Sequence, residues 1–127
     1  TVAETVKTIG ASGGVAVLAH PALLHLDWRA FENTLIYLVK LGAAGVECYH
    51  PTNTPQMAQQ YREAAQRYGL LITGGSDFHG GATEAGKPQS EPGEGLESFF
   101  DADRQVQRLL EAIDRRRRGL SPLLPRD

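Results

Sequence analysis

The sequence predicts an α/β fold in which parallel strands alternate with helices. Stretches with apolar residues at helical spacing alternate along the 127 residues with three short apolar runs. The first run, residues 15–19, is too short for a helix and apolar on both faces, as a strand covered on both sides is. Each run ends near a proline or a glycine, which stops a strand. Alternation of this kind gives right-handed crossovers and a parallel sheet.

The first half of the chain contains two predicted helix–strand units. A helix over Val2–Ala11 ends at a glycine pair and is followed by a strand over residues 15–19. Asp27 then caps a second helix that closes at Gly42, and a second strand covers residues 44–49. The apolar residues of the second helix recur on one face and predict its buried side: Phe31, Leu35, Leu38 and Val39.

The second half repeats the unit and closes with a helix. Thr54 and Pro55 start a helix that ends at Gly69, and residues 70–73 form the third predicted strand. Asp101 begins the last helix, whose expected buried residues are Val106, Leu109, Leu110 and Ile113. We therefore divide the chain into βα units over 1–81, a flexible loop over 82–100, a closing helix over 101–118 and a frayed tail over 119–127.

The composition limits the classes of protein to which the chain can belong. It is 41% hydrophobic and 22% charged with a net charge of −2, without the basic excess that nucleic acids or anionic membranes attract. It has neither an apolar run of membrane-spanning length nor the layout of a signal peptide. The single cysteine, Cys48, excludes an internal disulfide and fits a reducing compartment, so we expect a cytoplasmic location.

Ionisable side chains follow all three predicted strands. His20 comes after the first strand, Glu47 and His50 lie at the end of the second, and Asp77 and His79 come after the third. In parallel α/β folds, ligands bind at the carboxyl ends of the strands. One shared site explains such residues at three successive strand ends better than chance does.

His20, Asp77 and His79 are the predicted metal ligands. Along an extended backbone, alternation places Asp77 and His79 on the same side, where a carboxylate and an imidazole can converge on a divalent cation. Pro21 is expected to hold His20 in an extended conformation at the end of its strand. The alternatives are a polar turn for the Asp-x-His pair and a buried histidine bound to a backbone carbonyl for His20. Asp77 and His79 are also the candidate catalytic residues.

Glu47 and His50 are the candidate substrate-binding residues. Glu47 is expected to face the interior, where a carboxylate needs a partner such as a cation, an imidazole or a substrate group. His50 either contacts a substrate phosphate or caps the loop that follows it. The residues leave both alternatives open.

Four other features are expected to have structural roles. His25 lies in an apolar loop and is expected to be a surface or packing residue. Cys48 is expected to pack against a helix, and Ser76 lacks the Gly-x-Ser-x-Gly elbow of a nucleophile. The arginines at 115–118 lie at the end of a predicted helix, where cations complement the helix dipole. A nucleic-acid groove is disfavoured, because no aromatic residues are interleaved with these arginines.

Three segments resemble the PHP (polymerase and histidinol phosphatase) family of metal-dependent phosphoesterases. They are residues 17–21 (VLAHP), 45–51 (GVECYHP) and, most specifically, 73–80 (TGGSDFHG). The resemblance implies the C-terminal portion of a distorted (β/α)7 TIM-like barrel with up to three divalent ions, Mn²⁺, Zn²⁺, Fe²⁺ or Mg²⁺, at its mouth. Within the family, the chain looks most like small bacterial members that hydrolyse phosphate esters of nucleotides and short oligoribonucleotides.

The resemblance also implies site roles and shows two departures. His20, Asp77 and His79 match metal ligands of the family, and residues 45–51 line the same mouth. Asn53 stands where relatives often carry a histidine, and the family's His-x-His motif and the ligands that follow it have no counterpart here. We therefore expect part of a barrel that is inactive alone and that either self-associates through its uncovered edge or is marginally stable.

The function predicted for the complete protein is metal-dependent hydrolysis of phosphate esters. Its expected substrates are phosphorylated small molecules or nucleotides. No association with a membrane is expected. Two alternatives are a non-catalytic PHP-type structural or regulatory module and a metal-dependent amidohydrolase on a similar barrel.

Overall fold

The computed structural model describes residues 1–80 and 101–123. Helices and strands alternate along the chain, as the sequence predicts. In order they are α1 (Val2–Ala11), β1 (Val17–Leu18), a short 3-10 helix (Pro21–Leu24), α2 (Trp28–Leu41), β2 (Gly45–Tyr49), α3 (Pro55–Arg67), β3 (Leu71–Gly74) and α4 (Ala102–Arg117).

The three strands form a parallel sheet in the order β1-β2-β3. Val17 of β1 lies opposite Gly45 of β2, and Gly45 lies opposite Leu71 of β3. The register between β2 and β3 shifts between Glu47 and Tyr49. Because the strands are parallel, their carboxyl ends lie at one edge of the sheet, and that edge carries the candidate site.

Helices cover both faces of this sheet. α2 and α3 pack on the face that carries Val46, Cys48 and Ile72, all of which belong to the main buried cluster. α4 packs on the opposite face, where Ala112 meets Leu71. The sheet is therefore held between helices, as its doubly apolar strands indicate.

Local sequence signals set the helix starts. The side chains of Asp27, Thr54 and Asp101 accept backbone N–H groups at distances of 2.8, 3.1 and 3.0 Å. Each bond satisfies a donor that the first turn of a helix leaves free. These caps confirm the predicted starts of α2, α3 and α4.

The buried face expected for α4 is wrong in part, although Leu109 packs against the cluster of Leu71 and Ala112 as expected. Val106 and Leu110 are 53% and 60% exposed, because α4 turns its small residue Ala112 toward the sheet instead. In the first part of the predicted tail, Leu123 packs against the main buried cluster and Arg115 Nε donates to the Ser121 carbonyl at 2.8 Å. The predicted loop over 82–100 and residues 124–127 lie outside the described residues.

The arginine run at the end of α4 contributes to packing between helices. The guanidinium of Arg116 lies over Gly10 near the end of α1, and it also lies near Gly42, the left-handed cap of α2. Cations near helix carboxyl ends are stabilised by the helix dipole. This arrangement agrees with the structural role expected for the run.

An apolar groove lies beside β1. It has a volume of about 270 Å³ and is lined by residues of α1, β1 and α2, among them Val6, Ile9, Val17 and Leu38. Within residues 1–80 and 101–123, β1 pairs with β2 alone, so its other side is an open edge. In this same part of the chain, no helix is both long and apolar enough to cross a membrane.

Substitution of Gly45 by alanine is expected to destabilise the sheet. A Cβ at this position would lie 3.0 Å from the Cβ of Leu71 and 3.2 Å from its carbonyl oxygen, and neither atom can move without moving β3. We expect Gly45→Ala to lower the free energy of unfolding by about 1–3 kcal/mol, measured by urea denaturation. Gly14→Ala is the control, because its Cβ would meet Ile9 at 3.4 Å. Equal losses in the two variants would contradict this packing.

Candidate metal centre

The carboxyl ends of β1, β2 and β3 bring His20, His50 and Asp77 together. The ring centroids of His20 and His50 lie 5.7 Å apart, with the rings edge to face. Nε2 of His50 lies 3.5 Å from Oδ2 of Asp77. One cluster therefore contains a residue from each of the three strand ends.

A carboxylate on β2 holds the backbone of His20. The amide of His20 donates to Oε2 of Glu47 at 2.6 Å, which gives the half-buried carboxylate its partner. The other carboxylate oxygen, Oε1, lies close to Gly75: a Cβ on this residue would be only 3.2 Å from Oε1. The glycine therefore leaves room for the Glu47 carboxylate. Glu47 therefore fixes the turn that carries His20.

The expected extended conformation of His20 is wrong. The residue has φ 30° and ψ 61°, in the left-handed region. Its carbonyl accepts the amide of Leu23 at 3.0 Å, which begins the 3-10 helix Pro21–Leu24 that the sequence analysis did not predict. This turn and the bond to Glu47 together override the local preference of a residue before proline.

His50 is the most deeply buried member of the cluster. Its side chain is 3% exposed, against 43% for Asp77 and 67% for His79. Nδ1 accepts the amide of Thr52 at 3.2 Å and lies 2.7 Å from the Thr52 hydroxyl. Nε2 points at Asp77 and has no hydrogen-bond partner among the described residues. His50 thus caps its loop through one nitrogen and presents the other to the site.

The alternation argument for Asp77 and His79 is wrong, although the two side chains do meet. β3 ends at Gly74, and Asp77 has a φ of 56°, so a left-handed turn replaces the extended strand. In this turn Nδ1 of His79 donates to the backbone carbonyl of Asp77 at 2.5 Å and lies 3.7 Å from Oδ1 of the same residue. The carboxylate of Asp77 consequently faces His50 with one oxygen and His79 with the other.

The donor types of this cluster fit a divalent cation. Imidazole nitrogens and carboxylate oxygens, the donor types of His20, Asp77 and His79, are ligands of zinc, manganese and iron. Within residues 1–80 and 101–123, however, no group of three or more His, Cys, Asp or Glu side chains is close enough to hold a metal ion. A common cation for His20, Asp77 and His79 stays a prediction, and the described cluster fits part of a ligand set.

The side chains discussed next do not belong to the cluster of His20, His50 and Asp77. Burial raises the pKa of the Cys48 thiol to about 12, so it is not a thiolate at neutral pH. His25 is exposed at the end of the 3-10 helix. Asn53 donates from Nδ2 to the Cys48 carbonyl at 2.7 Å and so ties the loop after β2 to the strand.

The chain is similar in sequence to enzymes named as hydrolases of phosphate esters. No protein-family model matches it. It is 40% identical over 77 residues to a phosphoribosyl 1,2-cyclic phosphate 1,2-diphosphodiesterase of Eggerthella lenta, a match of 61% of this chain and 28% of that protein. It is 29% identical over 76 residues to a 3',5'-nucleoside bisphosphate phosphatase of Chromobacterium violaceum, a match of 60% of this chain and 27% of that protein. The chain thus spans under a third of the length of these relatives.

Two solved structures are similar to this chain in their fold. A protein assigned as a metal-dependent phosphoesterase from Bifidobacterium adolescentis matches with a TM-score of 0.64 and 31% identity, over 87% of this chain and 36% of that one. An amidohydrolase from Chromobacterium violaceum, with bound sulfate and no metal, matches with a TM-score of 0.61 and 26% identity, over 72% of this chain and 31% of that one. The names and the partial coverage fit a fragment of a PHP-type domain, which confirms the predicted resemblance.

Removal of the Glu47 carboxylate is expected to loosen the His20 turn. Hydrogen bonds to charged groups contribute about 1.5–3 kcal/mol, so Glu47→Ala should speed exchange of the His20 amide by about tenfold or more. Glu47→Gln is the control, because its amide oxygen can still accept this bond. Hydrogen exchange followed by NMR measures the effect, and an unchanged His20 amide in Glu47→Ala would refute the role of the carboxylate.

Proposed function

We propose that the complete protein is a metal-dependent phosphoesterase that hydrolyses phosphate esters of nucleotides or short oligoribonucleotides. The observation that carries this proposal is the meeting of His20, His50 and Asp77 at three strand ends, within the segments that resemble the PHP family. The names of the sequence relatives support the reaction class, since they include a diphosphodiesterase, a nucleoside bisphosphate phosphatase and a 5'-3' exoribonuclease of Haemophilus influenzae.

Asp77, His79 and His20 are the proposed ligands of one or more divalent ions, with Mn²⁺, Zn²⁺, Fe²⁺ and Mg²⁺ as candidates. When bound, such ions polarise a phosphate ester and lower the pKa of a water molecule. Asp77 directs Oδ2 toward the buried His50 and Oδ1 toward the exposed His79. Glu47 orients His20 by binding its amide, and Gly75 lets that carboxylate approach.

The chain itself is proposed to be a catalytically incomplete part of this enzyme. Three ligands hold one cation, whereas a multinuclear site needs more. We also propose that the protein acts in the cytoplasm, for which the support is its single, buried cysteine.

Substitution of Asp77 tests the proposed function in the complete protein. With Mn²⁺ and a nucleoside 3',5'-bisphosphate, Asp77→Asn should lower kcat by about 100-fold, because an amide replaces the proposed ligand. His25→Ala is the control, since His25 is exposed and lies outside the cluster. The 127-residue chain alone should release phosphate no faster than buffer with Mn²⁺. Full activity in Asp77→Asn, or turnover by the isolated chain close to that of the complete protein, would contradict the proposal.

An amidohydrolase is the second candidate, because one structural neighbour carries that name. The two candidates differ in the bond that is cleaved. Matched assays of phosphate esters and amides with the same Mn²⁺-loaded protein separate them. Hydrolysis of amides alone would favour the second candidate, whereas a protein that binds no metal and cleaves neither bond would be a structural module.

Self-association is the proposed behaviour of the isolated chain. Within its described residues, the outer edge of β1 is unpaired and lies beside the groove lined by Val6, Val17 and Leu38. Unpaired strand edges next to apolar surface pair readily with other chains. Sedimentation velocity is expected to show species larger than a monomer that increase with concentration. A concentration-independent monomer with a cooperative thermal transition would contradict this expectation.

A further inference from the structure

The contacts of Nδ1 determine which nitrogen of His50 carries the proton. The backbone amide of Thr52 donates to Nδ1 at 3.2 Å, and a backbone N–H can act only as a donor. Nδ1 must therefore offer its lone pair, which places the proton of a neutral imidazole on Nε2. The Thr52 hydroxyl lies 2.7 Å from the same nitrogen, but it can donate or accept, so it does not decide the tautomer.

The other nitrogen of His50 is buried against Asp77. The His50 side chain is 3% exposed, and within the described part of the chain Nε2 has no hydrogen-bond partner. Oδ2 of Asp77 lies 3.5 Å away, on a side chain that is 43% exposed. A buried N–H without an acceptor is costly, whereas a bond from it to a carboxylate is charge-assisted.

We infer that His50 is a positioning residue for Asp77. Its Nε2–H donates to Oδ2 of the carboxylate and directs Oδ1 toward the position where Asp77 meets His79. A ring nitrogen that carries a proton has no lone pair for a metal, so His50 supplies a hydrogen bond and not a ligand. The metal role of Asp77 rests on the proposed function, but the tautomer of His50 does not.

The loop after β2 holds the donor in place. The amide of Asn53 donates to the His50 carbonyl at 2.9 Å, and Nδ2 of Asn53 donates to the Cys48 carbonyl at 2.7 Å. Thr52 contacts the ring between these two anchors. The loop is thus built to fix both the orientation and the tautomer of His50, which is how a positioning histidine keeps its partner aligned.

Nitrogen-15 NMR of the 127-residue chain labelled at histidine tests the tautomer. We expect the Nδ1 resonance of His50 in the range of unprotonated imidazole nitrogens and the Nε2 resonance in the protonated range. Thr52→Val keeps the amide and removes the hydroxyl, so it should leave this tautomer unchanged. A proton on Nδ1, in the unsubstituted chain or in Thr52→Val, would overturn the inference whatever reaction the protein catalyses.

Two substitutions of His50 test its effect on Asp77. The amide nitrogen of a glutamine can reach the position of Nε2 and donate, whereas leucine fills the space without a donor. In the complete protein, we expect His50→Gln to bind Mn²⁺ like the unsubstituted protein and His50→Leu to bind it about tenfold more weakly, measured by electron paramagnetic resonance of free Mn²⁺. Equal affinities for all three would overturn the role. If the complete protein binds no Mn²⁺, the proposed metal role of Asp77 fails, whereas the tautomer of His50 is still decided by the NMR experiment.

Discussion

Parallel pairing of β1, β2 and β3 is the constraint on which the candidate site depends. Each strand is short, and none of the residues that follow it forms a site alone. Because β2 pairs with a neighbour on each side in the same direction, residues from three distant parts of the sequence meet at one edge. The core below this edge, with Val46 and Cys48 fully buried, fixes where β2 ends and so where His50 points.

Local signals and the parallel-sheet rule account for what the sequence could predict. Helix caps such as Asp27 and Thr54 act within three residues, so their outcome does not depend on the rest of the fold. The grouping of strand-end residues follows from strand direction alone, and the structure places His20 and Asp77 each beside His50. Helical period did not reveal that α4 turns Ala112 inward, because the space available beside the sheet decides which face of a helix is buried.

The parts that could not be predicted depend on contacts between distant residues. His20 adopts a left-handed conformation because Glu47, 27 positions later, binds its amide. The shift of register after Glu47 and the left-handed turn at Asp77 likewise have no signature in a hydrophobic pattern. The central position of His50 has one local signal in the sequence, a threonine two residues later whose amide can bind the ring.

The most direct test of this account is an anomalous difference map of the complete protein crystallised with Mn²⁺. The account predicts a peak about 2.0–2.5 Å from a carboxylate oxygen of Asp77 and from a ring nitrogen of His20 or His79, with His50 bound to the second oxygen of Asp77. A manganese peak away from Asp77, or these side chains turned into separate environments around no common ion, would contradict the claim that the three strand ends build one metal centre.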